Sequence, residues 1–170
     1  MTVEINGWRV MTHPALNEQI LKLIEATLKA KAKGQLHIDA NAKLLASIAK
    51  LMFEDVPGDP GASKYRQGNT LGKGRKHWFR AKFGGGRFRL FYRYSSARKI
   101  IIFAWVNDSK TLRTYGSKTD AYAVFKGMLD DGNPPDGWDD LMKECSASGS
   151  DSMPSIARRI EKALGEQDLT

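Results

Sequence analysis

The run Arg87-Phe88-Arg89-Leu90-Phe91-Tyr92-Arg93-Tyr94 alternates in a way that predicts a strand. Arg87, Arg89 and Arg93 then line one surface, and Phe88, Leu90, Tyr92 and Tyr94 the other. The preceding Trp78-Phe79-Arg80-Ala81-Lys82-Phe83 alternates likewise and adds Arg80 and Lys82. Arginine's rigid fork of donors suits the non-bridging oxygens of a phosphate. Lysine or tyrosine can move protons once a crowded cationic site lowers its pKa. Such a set could cut RNA without a metal, because RNA carries its own nucleophile. The 2′-OH attacks the adjacent phosphorus, so a protein need only align the two, stabilise charge and manage one proton in and one out.

Other chemistries find less support. The three histidines, His13, His37 and His77, and the single cysteine, Cys145, show no metal-ligand spacing. Metal-dependent nuclease sites need clustered carboxylates, and the basic segment holds only Asp108. Gly72-Lys73-Gly74 and Gly84-Gly85-Gly86 lack the spacing of a phosphate loop and read as turns. No nucleophile elbow is present. Neither a metal nor a cofactor is expected.

The 170 residues carry 27 Lys+Arg and 19 Asp+Glu, a net charge of +8, very unevenly placed. Residues 64–118 hold 15 basic side chains and one acid, whereas residues 119–151 hold 2 basic and 8 acidic ones. Solvated faces usually mix both signs, so a one-sign block predicts a partner of opposite charge. Phosphate backbones are the commonest such partner; a bland solubility role and an acidic protein partner are the alternatives.

These residues need elements to hold them. Pro14 starts a predicted helix with Leu16, Ile20, Leu23, Ile24, Thr27 and Leu28 on one face, ended by Gly34. Asp39 caps a second, with Leu44, Leu45, Ile48, Leu51 and Met52 as its stripe. The two arginine-bearing strands join through the glycine turn, and a third strand, Lys99–Val106, completes an antiparallel meander. Leu112–Tyr115 could add an edge strand. Ser117 or Thr119 is the expected cap of a third helix with Ala121, Tyr122, Phe125, Met128 and Leu129 inward, closed by Asn133-Pro134-Pro135. After a linker-like stretch at 146–152, Ser155–Leu164 reads as a short amphipathic helix.

The composite of Asn6-Gly7-Trp8, His13-Pro14, Leu71-Gly72, the two arginine strands, Trp105-Val106-Asn107-Asp108, Thr111-Leu112-Arg113-Thr114-Tyr115-Gly116 and Lys118-Thr119-Asp120-Ala121-Tyr122 resembles YhaV-type toxins. The resemblance spans about residues 5–143. It implies membership of the RelE superfamily of toxin–antitoxin ribonucleases, which inhibit translation, often by cleaving mRNA on the ribosome. The implied fold is α+β and RelE-like: two N-terminal helices packed on an antiparallel sheet of 3–5 strands, then a C-terminal helix. The expected organisation is a toxin domain over 1–144 and a linker with a short helical extension over 145–170. The implied partners are mRNA, the ribosome, an antitoxin of the AbrB-like swapped-hairpin type, and operator DNA through the toxin–antitoxin complex.

By that resemblance Arg89 is assigned to the scissile phosphate and Arg80 stands second. Tyr115 would orient or deprotonate the 2′-OH, and Lys82 would shuttle a proton or stabilise charge. Arg87 and Arg113 would contact flanking phosphates, together with Arg75 and Lys76 of the basic segment. Arg93 and Arg98 read as surface or turn charges, and Trp78 and Trp105 as packing residues. The competing reading is a nucleic-acid-binding regulator without catalysis. A lone cysteine predicts a reducing compartment, the cytoplasm. The N-terminal residues lack the pattern of a secretory signal, and the longest apolar run, Ile100–Val106, is too short to span a bilayer.

Overall fold

The computed structural model describes residues 3–112, 117–146 and 152–165. The chain opens with a hairpin, in which β1 (Val3–Ile5) pairs antiparallel with β2 (Trp8–Thr12). Asn6 and Gly7 form the turn with φ of 52° and 81°, the left-handed pair that a two-residue hairpin needs to match strand twist. His13 caps α1 (Pro14–Ala32), its Nδ1 accepting the Ala15 amide at 3.1 Å. Asp39 caps α2 (Ala40–Lys50), accepting the Ala42 amide at 2.9 Å. A π turn (Leu51–Asp55) carries the helix on into α3 (Val56–Gly58). Asn6 donates to the Pro57 carbonyl at 3.0 Å and so fastens the hairpin to that helix end.

β3 (Phe79–Phe83), β4 (Phe88–Ser95) and β5 (Ile100–Val106) form the expected antiparallel meander. The sheet has five strands in the order β1-β2-β5-β4-β3, and β2 lies parallel to β5 with Arg9 opposite Ile100. Two expectations are corrected. The sheet is mixed rather than antiparallel, and two strands precede the helices. The physical reason lies in β2: it sits inside the sheet with helices on both sides, so Trp8, Val10, Met11 and Thr12 are all buried. Such a strand has no polar face to alternate with.

Helices cover both faces. Leu90, Tyr92, Ile101 and Phe103 pack into one core with α1, α2 and α6 (Met153–Leu164). Phe91, Ile102 and Trp105 pack into another with α4 (Ala121–Asp130) and α5 (Trp138–Ser146). A register shift at Phe91/Tyr92 leaves Ala104 unopposed, a bulge that lets Ala104 and Trp105 both join the second core. The cap of α4 is Asp120, whose Oδ2 accepts the Tyr122 amide at 3.0 Å, rather than Ser117 or Thr119. α5 has no counterpart in the sequence reading: with only Leu141 and Cys145 buried, its pattern is too brief to show a period.

α6 adds Met153, Ile156, Ile160, Ala163 and Leu164 to the core that holds Ile20 and Ile24. Each large apolar side chain so buried contributes about 1.5–3 kcal/mol. Of the edge strand expected at Leu112–Tyr115, Leu112 is described and is not in a strand, and the rest lies outside the described residues. Among the described residues, no helix is long and apolar enough to cross a membrane.

Candidate active site

In the β3–β4 pair, Arg80 stands opposite Phe91 and Lys82 opposite Arg89. Opposed residues of an antiparallel pair share a face, with Cβ atoms about 5 Å apart. Arg80, Lys82 and Arg89 therefore lie together on the face that α4 covers. Tyr122, in the first turn of α4, is where two of them meet. Its hydroxyl oxygen accepts Nε–H of Arg80 at 2.9 Å and Nε–H of Arg89 at 3.0 Å. The Arg89 guanidinium also lies 5.3 Å from the centre of the Tyr122 ring. Arg80 Nη1 donates to the Lys64 carbonyl at 2.8 Å, and Arg89 Nη1 to the Gly86 carbonyl at 2.6 Å.

Each of these acceptors is neutral. Arg89 is only 5% exposed, and among the described residues no carboxylate pairs with it or with Arg80. A buried cation has lost its hydration, and a partner of opposite charge would offset much of that cost. Lys82 is exposed directly across from Arg89, and like charges so placed destabilise a sheet. Among the described residues, Arg80, Lys82 and Arg89 share one face with no ion pair to any of them, an arrangement suited to an anion.

The backbone of this corner is held by Asn107, which is 1% exposed. Its Oδ1 accepts the Arg89 amide at 2.6 Å, and its Nδ2 donates to the carbonyls of Arg87 and Thr111, both at 3.0 Å. From α1, Gln19 grips the preceding residue: it donates to the Val106 carbonyl at 2.6 Å and accepts the Val106 amide at 3.2 Å.

The remaining basic residues separate into free and paired. Arg87 sits in the β3–β4 turn rather than in the strand, exposed, with Nε donating to the Gly84 carbonyl at 3.1 Å and its guanidinium 5.6 Å from the centre of the Phe88 ring. Lys76 is exposed. Arg75 instead pairs with Asp130 at 2.8 Å and lies 3.8 Å from Asp136. Asp136 Oδ1 also accepts from His77 Nε2 at 2.9 Å and Trp78 Nε1 at 2.8 Å. The acidic segment thus folds back and neutralises the Arg75–His77 end of the basic block, leaving Arg80, Lys82 and Arg89 uncompensated.

Partial burial raises the Asp136 pKa, but the bonds from Trp78 and His77 and the nearby positive charge outweigh it and hold the carboxyl below its ordinary value. Hydrogen bonds from Arg75 and Lys126 do the same for Asp130. Arg93, expected at the surface, is half-buried between the rings of Trp78 and Trp138 at 5.7 and 5.2 Å, and donates to the Asp136 carbonyl. Burial lowers its pKa. Trp78 and Trp105 are buried packing residues as expected. Arg113 and Tyr115 lie outside the described residues. Among the described residues, no group of three or more His, Cys, Asp or Glu side chains could hold a metal ion. His13 is a buried cap bonded to Glu144 at 2.8 Å.

Sequence reasoning placed Tyr122 only in a core stripe and gave Asn107 no role of its own. For Tyr122 the available signal was a phenol at the start of a helix that follows a basic sheet.

The fold thus sets two helical layers around a mixed sheet and gathers Arg80, Lys82 and Arg89 on one of its faces. A family profile described as "Toxin with endonuclease activity, of toxin-antitoxin system" matches residues 10–146. The chain is 46% identical over 143 residues to "Ribonuclease toxin YhaV" of Escherichia coli (strain K12), covering 82% of this chain and 93% of that relative. It is 44% identical over 147 residues to "Toxin YhaV" of Escherichia coli O6:H1, covering 85% and 96%. No solved structure matches it. The class is therefore the endonuclease toxins of toxin–antitoxin systems, for which an antitoxin is the implied partner. Within that class, the chain belongs to the YhaV toxin family.

Proposed function

We propose that this toxin is a metal-independent endoribonuclease that cleaves mRNA and so inhibits translation and growth. The observation that carries this reading is the buried, acid-free guanidinium of Arg89 joined to that of Arg80 on one phenol oxygen. A scissile phosphate would supply the missing negative charge. The ribonuclease name of the K12 relative supports RNA as the polymer.

In this mechanism the 2′-oxygen attacks phosphorus, the bond to the 5′-oxygen breaks, and the products are a 2′,3′-cyclic phosphate and a free 5′-hydroxyl. Arg80, half-buried and so the more accessible guanidinium, contacts the non-bridging oxygens. Arg89 stands behind it as a fixed positive charge that stabilises the negative charge developing on those oxygens. Lys82, exposed beside Arg89, delivers a proton to the leaving 5′-oxygen, and Tyr115 orients the 2′-OH and takes up the proton it releases. Arg87, Lys76, Arg113 and Arg75 hold flanking phosphates, Arg75 the least of them because it already pairs with Asp130. Cleavage on the ribosome, an AbrB-like antitoxin, operator binding by the complex and a cytoplasmic site of action belong to the same proposal. So does a RelE-like placement of the fold, which the run of two helices, meander and helix supports.

The test is incubation of purified toxin with an mRNA fragment in EDTA. Cleavage should persist, should stop when the 2′-OH at the cut is removed, and should fall about 100-fold or more in Arg80→Ala, as for other oriented charge-stabilising donors. Cutting of the deoxy substrate overturns the mechanism. RNA that is bound but still intact after long incubation would favour the non-catalytic regulator.

A further inference from the structure

We propose that Tyr122 is a positioning residue for this reaction, setting the orientation of both arginines through one hydroxyl oxygen; this rests on the ribonuclease reading above. A phenol oxygen has acceptor capacity for two donors. Here the Nε–H groups of Arg80 and Arg89 use it from two neighbouring strands. Each guanidinium is then tied at two nitrogens, Arg80 to Tyr122 and the Lys64 carbonyl, Arg89 to Tyr122 and the Gly86 carbonyl. Two tethers stop a planar fork from turning about its last side-chain bond. Among the described residues, the Nη2 group of Arg80, the more exposed of the two, remains for an incoming phosphate, with Arg89 fixed behind it.

The hydroxyl itself is placed by the fold rather than by a surface rotamer. The Tyr122 amide donates to the capping carboxylate of Asp120, and the ring stands edge-on to Phe91 at 5.6 Å and 87°. The first turn of α4 thus carries a fixed acceptor down onto β3 and β4. Two guanidiniums repel, and a substrate phosphate could pull either out of line. The shared oxygen holds both before substrate arrives, so no reorganisation is needed as negative charge builds up on the phosphoryl oxygens. Such preorganisation acts on the chemical step more than on binding.

Tyr122→Phe keeps the ring and its packing and removes the hydroxyl, and with it the acceptor that Arg80 and Arg89 share. The experiment compares parent and variant in single-turnover cleavage of RNA, in binding of the same RNA with a 2′-deoxy residue at the cut, and in cleavage of the two phosphorothioate diastereomers at that phosphate. Rates are normalised to the native fraction from circular dichroism. The cleavage rate should fall about 10- to 100-fold, the scale of two buried donors losing their acceptor. Affinity for the uncleavable RNA should stay within about threefold. The parent should prefer one diastereomer, because the fixed donors address a particular oxygen, and Tyr122→Phe should lose that preference. A variant that cleaves like the parent, or keeps the same diastereomer ratio, overturns the positioning role. If Arg80→Ala is inactive while Tyr122→Phe matches the parent, only this proposal fails; if Arg80→Ala cleaves normally, the site reading fails with it.

Discussion

Asn107 and Arg89 are joined twice: the Asn107 side-chain oxygen accepts the Arg89 amide at 2.6 Å, and the Asn107 amide donates to the Arg89 carbonyl at 3.4 Å. The side chain thereby continues the β4–β5 ladder one step past the end of β5 and fixes the backbone from which Arg89 projects. Asn107→Ala leaves the Arg89 amide without its partner. A buried polar group so orphaned costs about 1–3 kcal/mol. Urea unfolding should show that loss, and cleavage at temperatures where the variant is fully folded should fall as well, since Arg89 loses its mooring.

Salt dependence separates free from paired cations. Lys82 is exposed and, among the described residues, has no ion pair, so Lys82→Ala should weaken RNA binding and reduce the slope of log affinity against log salt by about 0.7–1. Arg75 already pairs with Asp130, so Arg75→Ala should change that slope less. Fluorescence anisotropy with a 2′-deoxy-blocked RNA across a salt series measures both. Equal slopes for Lys82→Ala and the parent would remove Lys82 from the interface.

The acid limb of the stability curve should carry the signature of Asp136. Its carboxyl titrates below the ordinary 3.8 in the folded chain. A depressed acid contributes stability that is complete above its unfolded pKa and disappears as pH falls through the folded one. Asp136→Asn should therefore be less stable than the parent at pH 7, with the gap closing as pH falls through the depressed folded-state pKa. Denaturant melts at several pH values test this, and a gap that stays constant down to acid would sink it.

Much of the architecture is legible in the residues, for reasons that differ element by element. α1 and α2 announce themselves through Pro14, Asp39 and stripes of Leu and Ile, because each has one wet face to contrast with one dry face. β3 and β4 do so through alternation around the turn at Gly84, Gly85 and Gly86, whose positive φ values only glycine adopts freely. β1, β2 and α5 escape because they are short or buried on both sides. The parallel pairing of β2 with β5 depends on a crossover that no local pattern encodes.

The site is legible to a similar depth. Arg80, Lys82 and Arg89 share a face as the alternation requires, but α4 covers part of it, so that Arg89 is buried and Arg80 half-buried while Lys82 stays exposed. Charge segregation along the chain points to the right strands and hides the fact that Asp130 and Asp136 return to Arg75 and His77. Tyr122 could not be singled out, because its role comes from the docking of α4 onto β3 and β4, a contact between segments more than 30 residues apart in the chain.

The parallel pairing of Arg9 with Ile100 also sets a timetable. During synthesis the N-terminal hairpin has no sheet to join until β5 has left the exit tunnel, and non-local pairings of this kind form late. Tyr122 emerges later still. A nascent chain therefore lacks the phenol oxygen that Arg80 and Arg89 share until most of the chain has been made, and the two guanidiniums are brought together only after the sheet that carries them has formed.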